Sequence, residues 1–173
     1  TILGLGTLGT ACGIALERLG FNVRGWSRRE KKVDGILCFF GDDQIDSSLL
    51  DADIVVLLLP DTPLTQNILN QHTLNLLKRG AFVLNPGRGP LIDDDALLAA
   101  LDSGQIEHAT LDVFRIEPLP QNHQYWSNNK VTVIPHKASE TRPKTASQVI
   151  AMNIGRAENG QELLYLVDRE NGY

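Results

Sequence analysis

The chain has 173 residues, 42% of them hydrophobic and 21% charged, enough apolar sequence for one substantial core. A formal net charge of −5 and a pI near 5.3 argue against nucleic acid or an anionic membrane as partner. The longest apolar run, residues 54–60, is far too short to cross a bilayer, and no secretory signal pattern opens the chain.

In chain order, β-branched apolar runs occur at TILGLG, FNVRGW, GILCFF, DIVVLLLP, GAFVLNP, EHATLDVF and KVTVIP. Their hydrophobicity is nearly continuous rather than alternating, which is what strands covered on both faces require. Helical patterns fall between them, at residues 8–19, 42–50, 64–78, 93–103 and 141–159. Asp93 is placed to cap the fourth of these and Gly104 to end it. Alternation of this kind predicts an open, doubly wound parallel α/β sheet of the Rossmann type over residues 1–159. Residues 160–173 have no core of their own and are expected to dock on something else. Cys12 and Cys38 sit in apolar segments without CxxC or metal-ligand spacing, and read as reduced core thiols of a cytoplasmic protein. The first residue is not Met and lies inside a strand pattern, so the chain is expected to be the later part of a longer one.

Gly4-Leu5-Gly6-Thr7-Leu8-Gly9 follows the first strand and opens the first helix. That context makes G-x-G-x-x-G a dinucleotide fingerprint rather than a glycine-rich turn. Gly4 permits the turn, Gly6 lets a pyrophosphate approach the backbone, and Gly9 lets helix pack on strand. The second strand ends in Gly25-Trp26-Ser27-Arg28-Arg29, with Lys31 and Lys32 close behind and no acid at its tip. An acid there would bind ribose hydroxyls, whereas arginine accommodates a 2′-phosphate. NADP(H) is therefore the preferred cofactor and NAD(H) the alternative, while a merely solvated basic helix start is the plain reading.

Three later strands each end on a chemically useful group. Arg88 follows AFVLN, Asp112 and Glu117 follow the strand in HATLDVF, and His136 follows VTVIP. Open α/β sheets bind ligands at the carboxyl ends of their strands, so parallel strands would gather these groups on the rim of the glycine loop. Arg88 can grip a carboxylate through two parallel hydrogen bonds, and His136 can move a proton to or from a carbonyl oxygen. Glu117 can fix the imidazole tautomer from its far nitrogen. With a nicotinamide alongside, this set reads as hydride transfer to a small 2-oxo acid. By itself, His136 would read as a buried structural histidine.

GLGTLG, GWSRR, LPDTPLTQNIL, LNPGRGPLIDDDALLAAL, LDVFRIEPLP and VIPHKAS together resemble the D-isomer-specific 2-hydroxyacid dehydrogenase family, in order along nearly the whole chain. GWSRR and the closing VDRENGY are most similar to its NADPH-dependent glyoxylate/hydroxypyruvate reductases. The resemblance implies Arg88 as binder of the substrate carboxylate, His136 as acid/base and Glu117 as its partner. It puts Asp112 at the nicotinamide end of the cofactor, Thr7 and Leu8 at the pyrophosphate, and Ser27, Arg28 and Arg29 at the adenosine phosphate. Leu59, Pro60 and Gly87 are further expected cofactor contacts, and no metal is expected. It also implies a homodimer, and a preceding substrate domain on which the tail would pack and without which this chain should turn over little or nothing.

Pro86-Gly87 departs from the family pattern beside Arg88, and Lys137 stands where an apolar residue is usual. His72, His108 and His123 read as surface groups, and Asp93, Asp94 and Asp95 as a helix cap. Trp126 either packs over the active-site rim or anchors its own loop. A different class of function stays open on the same fold: a nucleotide-sensing interaction protein of the corepressor kind. The Arg–Glu–His set favours the enzyme.

Overall fold

The computed structural model describes residues 1–169. Seven strands alternate with helices: β1 (Ile2–Leu3), α1 (Thr7–Arg18), β2 (Arg24–Ser27), β3 (Leu37–Phe40), α2 (Ile45–Leu49), β4 (Ile54–Leu57), α3 (Gln71–Leu76), β5 (Ala81–Asn85), α4 (Asp94–Ser103), β6 (Ile106–Leu111), β7 (Val131–Val133) and α5 (Pro143–Glu158). The spatial order is β3-β2-β1-β4-β5-β6-β7, and every neighbouring pair is parallel. The seven apolar runs of the sequence are these seven strands, and the doubly wound sheet is confirmed. The order reverses between β1 and β4, which opens a crevice at their carboxyl ends.

The core fills in on the pattern the sequence carries. Leu3, Val55, Leu57, Val83 and Ala109 are fully buried in the sheet, and Leu97 and Leu101 of α4 pack against them. Asp93 caps α4 as expected, accepting from the Ala96 N–H at 3.1 Å, and Gly104 ends it in the left-handed conformation at φ 72°. Cys12 and Cys38 are free and half-buried, packed beside Ile2, Val23 and Ile36.

One helix departs from expectation. The pattern at 64–78 becomes a helix only at α3, because Asn70 starts it late. Its side chain accepts from the N–H groups of His72 and Thr73, and the Thr73 hydroxyl accepts from the Asn70 N–H at 2.8 Å. Before it, the chain turns through Asn67 (φ 53°) and Leu69 pairs with Ile92. Leu69 in that turn is fully buried while Leu64 is exposed, so the apolar spacing there does not mark one helix face.

At the other end α5 buries none of its residues, and Ile150, Met152 and Ile154 are each at least half exposed. The tail folds back along α5: Asn153 exchanges two hydrogen bonds with Leu164, at 2.8 and 3.0 Å. The last residues of VDRENGY, from 170 on, lie outside the described residues. Among the described residues no helix is long and apolar enough to cross a membrane.

Leu57 sits where the sheet order reverses and is fully buried. Leu57→Ala is expected to cost about 2–5 kcal/mol, read as a lower denaturant midpoint with an unchanged slope.

Candidate active site

The glycine loop joins β1 to α1 and each glycine has a separate reason. Gly4 takes φ 110°, and a Cβ on it would lie 2.4 Å from the Leu58 carbonyl oxygen. A Cβ on Gly9 would lie 1.8 Å from the Gly4 carbonyl oxygen, so helix and strand could not meet. Gly6, by contrast, faces open space at the helix start, with no side chain over the amides and no acid in the first turn. Thr7 and Leu8 are exposed on that turn. Bare amides and a positive helix end are what a pyrophosphate needs.

A cleft of about 390 Å³ runs from this loop past the end of β2. Gly4 and Gly6 close one end; Ser27, Arg28 and Arg29 form the other; Leu58, Leu59 and Pro60 make an apolar wall. The Ser27 hydroxyl donates to the Arg29 carbonyl at 2.8 Å, curling the basic segment around the cleft. Lys31 reaches across and donates to the Leu5 carbonyl in the glycine loop. In sequence Lys31 is only part of a basic run; here it joins the two ends of the cleft. Asp168 of the tail also lines it, which no local pattern announces. Amides at one end and cations at the other fit a dinucleotide with an extra anion on its adenosine side.

The Arg88 turn is shaped by a residue that the sequence does not single out. Asn85 ends β5 and is 1% exposed. Its amide donates to the Arg88 carbonyl at 2.9 Å and accepts from the Gly87 N–H at 3.1 Å, while its own carbonyl accepts from the Asp112 N–H at 3.0 Å. An Asn before Pro-Gly is a turn signal, and this is the turn it makes. Gly87 has a steric reason: a Cβ there would lie 2.8 Å from the Leu57 carbonyl oxygen. The Arg88 side chain is exposed and donates to the Gly87 carbonyl at 2.7 Å.

Next along the edge, β6 delivers Asp112, which is 3% exposed. Its two carboxylate oxygens accept from the N–H groups of Lys137 and Ala138 at 2.7 and 2.9 Å, and its carbonyl accepts from His136 N–H at 2.9 Å. Those three bonds hold His136 at φ 52°, a left-handed conformation that a non-glycine residue adopts only under constraint. The turn thus uses the main chain of Lys137.

The imidazole then meets its partner. Nδ1 of His136 lies 2.8 Å from Oε2 of Glu117, whose Oε1 accepts from the Phe114 N–H at 2.9 Å. Burial opposes ionisation of Glu117, but the hydrogen bonds from His136 and Phe114 and the charges of His136 and Arg88 outweigh it, holding the carboxyl below its ordinary value. The Arg88 charge is therefore felt at the His–Glu pair. Arg88, Glu117 and His136 converge at the carboxyl ends of β5, β6 and β7, on the edge that carries the glycine loop.

His72 and His108 are bound to Asp46 and Thr132, both at 2.8 Å. His108 and His123 are half-buried rather than plain surface groups, and the His123 ring lies tilted at 48° to that of Tyr125 with centroids 4.5 Å apart. Trp126 anchors its loop by donating to the Pro120 carbonyl at 2.9 Å. Asp94 does more than serve the helix start, because it accepts from the buried Tyr125 hydroxyl at 2.9 Å.

The model of the D-isomer specific 2-hydroxyacid dehydrogenase NAD binding domain matches residues 1–138, and the chain belongs to that family. It is 45% identical over 172 residues to a glyoxylate/hydroxypyruvate reductase A of Serratia proteamaculans, covering 99% of this chain but 55% of the relative. A Yersinia enterocolitica protein of the same name is 41% identical over the same span. The chain thus spans about half the length of these curated relatives. A D-isomer specific 2-hydroxyacid dehydrogenase from Xanthobacter autotrophicus, solved with NADPH and MES, superposes with a TM-score of 0.97 at 47% identity, over 99% of this chain and 71% of that one. An NADPH-dependent glyoxylate/hydroxypyruvate reductase of Sinorhizobium meliloti, solved with NADP and sulfate, gives 0.95 at 34%, over 99% and 56%.

A depressed carboxyl value has a signed consequence. The stabilisation from the Glu117 contacts is present above the ordinary glutamate value of about 4.3, and is lost as pH falls through the lower folded value. A ¹³C titration is expected to place the Glu117 midpoint below the ordinary glutamate value. Glu117→Gln should be less stable than the parent at neutral pH, with the gap closing in acid.

Proposed function

We propose that this chain is the cofactor-binding part of a longer NADP(H)-dependent oxidoreductase that reduces a small 2-oxo acid, glyoxylate or hydroxypyruvate, to the 2-hydroxy acid. The observation that carries the reading is the 2.8 Å His136–Glu117 pair, on the same sheet edge as Arg88 and the nucleotide cleft. The NADPH and NADP of the two solved relatives, and the names of the curated ones, support it.

The bound nicotinamide supplies the hydride. Arg88 holds the substrate carboxylate by two parallel hydrogen bonds and draws charge toward the adjacent carbonyl oxygen. Protonated His136, held at Nδ1 by Glu117, passes a proton from Nε2 to that oxygen as the carbon is reduced, and takes it back in the reverse direction. Glu117 stabilises the imidazolium and sets which nitrogen faces the substrate. Asp112 fixes the His136 turn and faces the nicotinamide end of the cofactor. Gly6, Thr7 and Leu8 receive the pyrophosphate on a cofactor loop whose turn and packing Gly4 and Gly9 provide, and Ser27, Arg28 and Arg29 receive the adenosine 2′-phosphate. Leu59, Pro60 and Gly87 line the path between.

Residues 1–159 form the dinucleotide domain, and the tail from 160 serves a substrate domain contributed by the rest of the protein. The exposed apolar side chains of α5 support a further packing partner, and a homodimer belongs to the proposal. The free, core-packed Cys12 and Cys38 accord with a cytoplasmic setting.

In the full-length protein, His136→Ala is expected to lower kcat by about 10²–10⁴ while leaving NADPH affinity unchanged. Glyoxylate reduction at the parent rate would remove His136 from the mechanism. Arg28→Ala with Arg29→Ala should weaken NADPH binding and leave NADH binding nearly as it was, by fluorescence titration. Equal losses for both nucleotides would show that these arginines do not read the phosphate.

A further inference from the structure

Arg88 sits in the loop after β5, Glu117 in the loop after β6, and His136, whose ring Glu117 holds, in the loop after β7. Arg115 joins the first two of these loops to each other across Pro90 and Ile92. Arg115 stands two residues before Glu117. Its guanidinium donates to the Ile92 carbonyl and, at 3.4 Å, to the Pro90 carbonyl, both just past Arg88, and also to the Asn67 side chain. Its Nε lies 3.6 Å from Oδ2 of Asp94. Asp94 is held in turn by the hydroxyl of Tyr125, which is 2% exposed and packs against Phe114 and His123. The loops also meet directly. A Cβ on Gly89 would lie 1.9 Å from the Phe114 carbonyl carbon and 2.4 Å from the Arg115 nitrogen.

We propose that Arg115, seated on Asp94, is a positioning residue that fixes the Glu117 loop against the Arg88 turn, and so sets the distance between the carboxylate-binding guanidinium and the proton-transferring imidazole. Sequence reading assigns Arg115 nothing, and none of its contacts falls on the cleft. Five donors in one rigid fork suit it to tying several carbonyls at once. The inference rests on the reductase reading for its effect on turnover, but the clamp itself can be read without turnover.

The test uses the full-length protein with Arg115→Met, Arg115→Lys and Asp94→Asn. Three quantities are measured: NADPH affinity by fluorescence, kcat and KM for glyoxylate, and the ¹⁵N-imidazole shift of His136. Arg115→Met is expected to lower kcat by about tenfold to a hundredfold, the scale of a small misplacement of reacting groups, with NADPH affinity unchanged. The ¹⁵N shift of its His136 Nδ1 should move toward that of Glu117→Gln, because a loosened loop gives up the same hydrogen bond. Arg115→Lys should recover part of both effects, and Asp94→Asn should fall between Met and parent. If Arg115→Met does not fold, Asp94→Asn decides on the same readouts. Parent-like kcat and His136 shift in these variants would overturn the proposal. Loss of NADPH affinity in step with kcat would also overturn it, since that marks a general weakening of the fold. A moved His136 shift in a protein whose parent reduces no 2-oxo acid would keep the clamp and reject the reductase reading.

Discussion

Parallel strand direction is the constraint from which the site follows. Strands that all run one way expose all their carboxyl ends on one edge, and every chain reversal there is a loop free to carry chemistry. The glycine loop leaves β1, the basic segment leaves β2, and Arg88, Asp112 and His136 follow β5, β6 and β7. Groups separated by more than a hundred residues come to lie on one sheet edge without any long loop reaching across the molecule. Turning one of these strands over would send its group to the opposite edge.

Close backbone approach does the finer work. The carbonyl of Gly4 sits where a Cβ on Gly9 would be, the Leu57 carbonyl sits against Gly87, and Phe114 sits against Gly89. Each contact removes a side chain's width between two backbone segments, and buried polar groups hold the neighbouring turns. Asn85 and Asp112 are 1% and 3% exposed, and both spend their hydrogen bonds on main-chain partners of the turns that carry Arg88 and His136. A buried carboxylate satisfied in this way costs little to bury and is stiff. The candidate site's side chains are exposed; what aims them is not.

The strands were legible because mostly apolar, β-branched runs bounded by turn residues mark a packed sheet. The outer strands β3 and β7, however, bury none of their residues and are not covered on both faces as the pattern predicts. The site was legible where one residue type has one sensible job, as with the three glycines, the paired arginines, or an Arg, a Glu and a His at successive strand ends. It was opaque where the job belongs to a contact. Asn85 reads as a turn residue, Lys31 as one charge in a basic run, and Asp168 as part of a polar tail; their partners lie far away in sequence. The segment at 64–78 misled for the opposite reason. Its leucines keep helical spacing, but a local cap at Asn70 and strand-like pairing of Leu69 decide the backbone.

His136 carries a tension of its own. Its φ of 52° costs an ordinary residue about 1–2 kcal/mol and costs glycine almost nothing. The backbone at this point would accept glycine more readily than the imidazole it bears, so a selection for heat tolerance alone would drift toward losing the group proposed to move the proton. Durability and turnover pull on this codon in opposite directions.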